Sequence, residues 1–148
     1  MNRVDITWSG RVDFSARIPL RITDINYGQH VGNDSLLSIL HEARMQLLAS
    51  KGFSEKDVGG CGLIMTDAAV AFKAEIFYPD TLRVDMAVVD ATRGSFVIQY
   101  RVERESDGKD VALAQTVMVC FDYERKRPAR IPESFKAAFL SGAIRPAD

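Results

Sequence analysis

The stretch RITDINYGQHVGNDSLLSILHEAR, Arg21 to Arg44, sets Asp24, Asn26, His30, Asn33 and Asp34 close together, with Gly28 and Gly32 among them. A carboxylate such as Asp24 has the chemistry of a base or a nucleophile. An amide at Asn26 or an imidazole at His30 can orient water or donate to a developing oxyanion. Glycines at 28 and 32 let backbone approach a ligand closely. The same residue types also build Asx turns and helix caps, so a reaction site and an elaborate turn both fit the pattern.

Two elements must position this loop. Before it, Val12, Phe14, Ala16, Ile18, Leu20 and Ile22 alternate with polar residues, the period of a half-buried strand. Pro19 removes one ladder donor and predicts an edge or a bulge there. After it, Leu36, Leu37, Ile39, Leu40, Ala43, Leu47 and Leu48 recur at three- and four-residue spacings, one broad helix face. Asn33, Asp34 or Ser35 is expected to cap this helix, and Gly52 to stop it. The amino end of such a helix presents unpaired N–H groups and partial positive charge, suited to polarising a carbonyl.

Downstream, Ser54 to Val58 reads as one short helical turn, broken by GGCG. Four alternating strands follow: Ala68 to Ile76, Leu82 to Val88, Phe96 to Val102 and Val111 to Phe121. YPDT, TRGS and SDGK separate them, the last with the Asp-Gly pair of tight hairpins. Phe135 and Phe139 mark a short terminal helix. Short turns make the strands antiparallel, and one long helix on such a sheet is an α+β architecture. A single helix leaves part of a five-stranded sheet uncovered, which predicts an oligomer.

The 148 residues form one expected domain, 1–148, with 47% hydrophobic residues and a net charge of −1. That balance argues against a nucleic-acid partner. Arg125 to Arg130, interrupted by Pro128, reads as a solvated connector. Cys61 and Cys120 form no CxxC pair, and read as structural thiols of a reduced, cytoplasmic protein. The first residues lack the apolar run of a signal peptide. No stretch approaches the roughly 18 apolar residues of a membrane span. No metal is expected, because His30 and His41 alone make no zinc site, and no cofactor is implied.

The alternating strand ending in D-x-D/N, then G-x-V-x-N, then a helix ending in E-A-R resembles the hotdog-fold acyl-CoA thioesterases of the hydroxybenzoyl-CoA thioesterase class. Asp24, Asn26, Gly28, His30, Val31, Asn33, Glu42, Ala43 and Arg44 carry the resemblance. EIFYPDTLRVDM, DGKDVALAQTVMVCFD and RIPESF extend it over nearly the whole chain. It implies a central helix wrapped by a curved sheet of about five strands. It also implies a homodimer or homotetramer with sites at subunit interfaces, and an acyl-CoA or acyl-carrier-protein thioester as substrate. On that resemblance the catalytic set is Asp24, Asn26, His30, Asn33 and Glu42, with the backbone N–H near Asn33 polarising the carbonyl. Gly28, Gly32, Thr66 and Asp67 form the substrate-binding set; Thr66 and Asp67 also read simply as strand-edge polars. Arg125, Lys126 and Arg127 are the cations available for nucleotide phosphates.

One departure matters. The family's second carboxylate is Asn26 here, and a neutral amide is neither nucleophile nor base. Asp24, His30 or Glu42 would have to supply that role. Two other functions stay open. An enoyl-thioester hydratase of the same fold carries D-x-N-x-x-H, and His30 falls one residue later than that spacing. A non-catalytic acyl-thioester binding protein would explain Asn26 as lost hydrolysis.

Overall fold

The computed structural model describes residues 3–140. The first strand, β1 (Phe14–Pro19), buries Ala16 and packs Phe14 and Ile18 against the core. It is shorter than the alternation predicts. Pro19 is its last residue, and Ile22, 67% exposed, instead opens a 3-10 turn, Ile22–Asp24. A proline donates no ladder bond, so the strand ends where the pattern alone would carry it on. Val12 is likewise exposed and precedes the strand.

The helix α1 (Asn33–Ala49) buries Leu36, Ile39, Leu40, Ala43, Leu47 and Leu48 along one stripe. Leu36, Leu47 and Leu48 lose all their exposure, and each such burial contributes about 2 kcal/mol. Leu37, expected on that stripe, is largely exposed. The chain leaves the helix through Gly52, whose φ of +81° suits a residue without Cβ.

Ser54 to Val58 is not helical. Ser54 and Asp57 exchange backbone hydrogen bonds, and the Asp57 carboxylate accepts the amides of Gly59 and Gly60 at 3.0 and 2.9 Å. Both glycines take positive φ, so the side chain closes a loop where a helix would need the backbone to continue.

The other elements are β2 (Gly62–Phe72), β3 (Thr81–Val89), β4 (Ser95–Arg104), β5 (Lys109–Asp122), β6 (Arg127–Pro128) and α2 (Glu133–Phe139). β2 stops short of Ile76 because Lys73 and Ala74 both turn their amides onto the Val111 carbonyl. The antiparallel sheet runs β1-β3-β4-β5-β2, with the short β6 on β5. Its inner face presents Leu82, Val84, Met86 and Val88 from β3, and Phe96, Ile98, Tyr100 and Val102 from β4, all fully buried with the α1 stripe in one core. Phe135 of α2 closes one end, stacked on Phe96 at 4.8 Å between ring centroids.

The outer face of β3 and β4 is covered by the segment before β1. Ser9 donates its amide to Gln99, whose own amide group donates to the Thr7 carbonyl. Trp8 lies over the Arg101 guanidinium at 5.4 Å. The opposite end of the sheet, β2, is an edge whose residues Met65 to Ala68 are exposed. No helix among the described residues is long and apolar enough to cross a membrane.

Candidate active site

The polar loop is a tight hairpin set between β1 and α1. Ile25 and Val31 pair as an antiparallel bridge. The Asn26 amide donates to the His30 carbonyl at 2.9 Å, and Gln29 turns back onto Asn26 with a φ of +68°. Val31 donates to the Ile76 carbonyl, pinning the loop to the β2–β3 connection. Inside it, the Asn26 side-chain oxygen accepts the Gly28 amide at 2.9 Å, an Asx turn. A Cβ on Gly28 would come 3.2 Å from that oxygen and 3.5 Å from His30 Nε2. The Asn26 amide and the imidazole therefore converge on Gly28.

The helix is not capped by Asn33, Asp34 or Ser35. Gly32 is the N-cap; it has no side chain to give, and Asn33 is already the first helical residue. Leu36 makes the first helical bond, to the Gly32 carbonyl. The N–H groups of Asn33, Asp34 and Ser35 find no acceptor among the described residues. The first of them, Asn33, lines a cleft of about 640 Å³ with His30, Leu36, Phe72, Ile76 and Lys109. Unpaired amides and the helix dipole favour a carbonyl oxygen gaining negative charge there.

The structure brings together Asn26, Gly28, His30, Gly32 and Asn33. Asp24 lies beneath them, 4% exposed, its carboxylate accepting the Arg21 amide at 2.9 Å. Glu42 does not reach this cleft. It lines a separate groove with Arg17, Arg21 and Asp24, and accepts a hydrogen bond from Gln46 at 2.8 Å. Thr66 and Asp67 sit at a bulge in the middle of β2, exposed, and neither lines the cleft at the helix start.

Arg44 is buried, donating to Glu55 at 3.1 Å and to the Tyr100 hydroxyl at 3.1 Å; that hydroxyl also meets Thr116 at 2.8 Å. Burial pushes the Tyr100 phenol above its ordinary value. His41, not Glu42, faces the β2 side: its Nε2 lies 3.0 Å from Glu55 Oε1. Both line a second groove of about 730 Å³ with Met45, Leu63 and Tyr123. The sequence held a signal for this, because Leu37, His41 and Met45 recur every four residues beside the buried stripe.

Cys61 and Cys120 are free and buried. Burial raises both, with Cys120 pushed up to about 12, so both stay thiols. Among the described residues no cluster of three potential metal ligands occurs.

A long helix cradled by one curved antiparallel sheet, with a polar loop at the helix start, defines the hotdog class of fold. The chain belongs to the Thioesterase-like superfamily, which it matches over residues 20–139. It is 25% identical over 125 residues to a 1,4-dihydroxy-2-naphthoyl-CoA hydrolase of Synechococcus elongatus, covering 82% of this chain and 90% of that one. Its structure resembles the 1,4-dihydroxy-2-naphthoyl-CoA thioesterase Slr0204 of Synechocystis, with a TM-score of 0.77 at 24% identity over 84% of this chain and 93% of that one. It also resembles PA2801, a putative thioesterase of Pseudomonas aeruginosa, with a TM-score of 0.79 at 20% identity over 86% and 98%.

Proposed function

We propose that the chain is an acyl-CoA thioesterase, hydrolysing an acyl thioester to a carboxylic acid and a free thiol, and that it works as a dimer joined along β2. The observation that carries the hydrolase reading is the open helix start. Three N–H groups there have no acceptor among the described residues, and Asn33, the first of them, lines a cleft with His30, in a chain whose superfamily and curated relatives act on thioesters. The thioester oxygen would accept from the helix-start amides. Asn26, neutral and tied by its oxygen to Gly28, would hold the loop and offer its NH₂ group. Asp24 would fix the 3-10 turn beneath.

The exposed edge of β2 supports the dimer, since unpaired strand edges are otherwise protected. Two buried free thiols accord with a reducing compartment, the cytoplasm. Thiol release, followed with a thiol-reactive dye over short, long and aromatic acyl-CoA substrates, tests the activity. Aromatic acyl-CoA is expected to be among the substrates turned over, and silence across the whole panel would remove the reading. Asn26 itself favours one rival, a binding protein that has lost hydrolysis. If that rival is right, Asn26→Asp creates activity where the wild type has none.

A further inference from the structure

We propose that His41, positioned by Glu55, is the general base of hydrolysis and acts on a thioester held at the helix start of a second copy of the chain. This rests on the thioesterase reading.

The cleft at the helix start is lined by His30 and Glu75, and the exposed Asp34 stands on the first helical turn, but none of the three has an ion-pair partner among the described residues. Asn26 is neutral, and Asp24 is buried in its turn. Glu42 faces another groove. The chain has two histidines. His30 turns Nδ1 to the Val31 carbonyl at 3.2 Å, whereas His41 carries a carboxylate against its ring. That carboxylate is not a loose surface partner. Glu55 Oε1 is shared with Arg44, which is 5% exposed and braced in the core by the Tyr100 hydroxyl. Nε2 of His41 faces Glu55, which leaves Nδ1 as the nitrogen able to take a proton.

His41 cannot serve the helix start of its own copy. Eight residues of helix separate it from Asn33, about 12 Å at the usual rise, and a base must lie within hydrogen-bond reach of its water. The course of α1 supplies the alternative. Its start shares a cleft with Phe72, the last residue of β2, and with Ile76 just beyond, while His41 and Met45 share a groove with Leu63, at the beginning of β2. α1 therefore runs antiparallel to β2 beside its edge. Antiparallel pairing of β2 with a second β2 about a two-fold axis sets the end of one strand beside the beginning of the other. The open amides of each copy then face the His41 groove of its partner, and the acyl group lies on Met45, Leu63 and Tyr123.

In the reaction, Nδ1 of His41 takes a proton from water as the water oxygen bonds to the thioester carbonyl carbon. The tetrahedral adduct, its oxyanion on the helix-start amides, collapses with cleavage of the C–S bond. The imidazolium returns the proton to the leaving sulfur, giving acid and thiol.

The experiment measures thiol release from the best substrate of the panel, with thermal unfolding as the control for folding. His41→Gln is expected to lower kcat by about 10²- to 10³-fold with Tm unchanged, and added imidazole to restore part of the rate of His41→Ala. Glu55→Gln, a positioning change, is expected to lower kcat at unchanged KM, with Glu55→Asp recovering part of it. Mixing His41→Gln with Gly32→Phe, which blocks the helix start, is expected to recover about a quarter of wild-type activity, because half the dimers are mixed and each has one intact site. Wild-type turnover in His41→Gln overturns the proposal. Mixtures as inactive as their parents overturn the action between copies. No thiol release from the wild-type protein overturns the thioesterase reading and this inference together.

Discussion

Asp85 has no exposure, yet three partners keep it charged: Arg83 and Ser15 reach one oxygen at 3.0 and 2.5 Å, and Arg101 reaches the other at 2.8 Å. Burial alone would raise its pKa, but the hydrogen bonds from Arg83, Ser15 and Arg101 outweigh burial and hold it at about 2, below the ordinary 3.8. The folded carboxylate therefore protonates later than the unfolded one. Its contribution is present above about pH 4 and is lost as pH falls towards 2. Asp85→Asn is expected to cost about 2 kcal/mol at pH 7, with the gap between variant and wild type closing in acid. Urea unfolding at several pH values measures this, and a gap independent of pH would refute it. The loop residues were legible at this scale because small polar types and glycines cluster visibly. Asn26, His30 and Asn33 do meet at the helix start. Which of His41 and Glu42 lines the groove beside β2 was not legible. A shift of one residue turns a helical side chain by about 100°, and the E-A-R match carried Glu42 with it while the packing faces it away.

At the scale of elements, the helix start joins stability to chemistry. Gly32 at the N-cap leaves three amides free, and a Cβ there would lie 2.8 Å from the exposed Asp34 carboxylate, which can move aside. Its φ of −71° admits any residue. Gly32→Ser is thus expected to raise stability by a few tenths of a kcal/mol through capping, while lowering kcat/KM because the hydroxyl occupies an amide the thioester needs. Chemical denaturation and thiol release on the same preparation read both sides. A variant as active as wild type would show that the carbonyl docks elsewhere. The element order, with its strand, long helix and strands in hairpin succession, was readable from periodicity, and so was the turn at Asp107-Gly108, where Gly108 takes a φ of +69°. The ends were not. β1 stops at Pro19, β2 at Phe72 and the loop after α1 at Asp57 through a proline, a shared carbonyl and a side-chain cap. Hydrophobic alternation does not register such local events.

For the whole molecule, the free edge of β2 and the groove beside it predict a particle of twice the 16.4 kDa chain mass. Sedimentation equilibrium at micromolar concentration is expected to show it, and a monomer that still hydrolyses thioesters would be incompatible with a site shared between copies. The expectation of an oligomer came from the sequence alone, because one helix cannot cover such a sheet. The free edge was not legible, since nothing in the alternation of β2 marks it as the outermost strand.

The ribbon from Ile6 to Asp13 has a consequence for any assembly beyond the proposed dimer. It already occupies the back of the sheet, with Trp8 on Arg101 and the Asp13 carboxylate on the Val88 amide. Two dimers cannot stack back to back over β3 and β4 without peeling it away. A protease cut or a bulky fusion ahead of Phe14 would thus bare Gln99 and Arg101 and change which faces two copies can bring together.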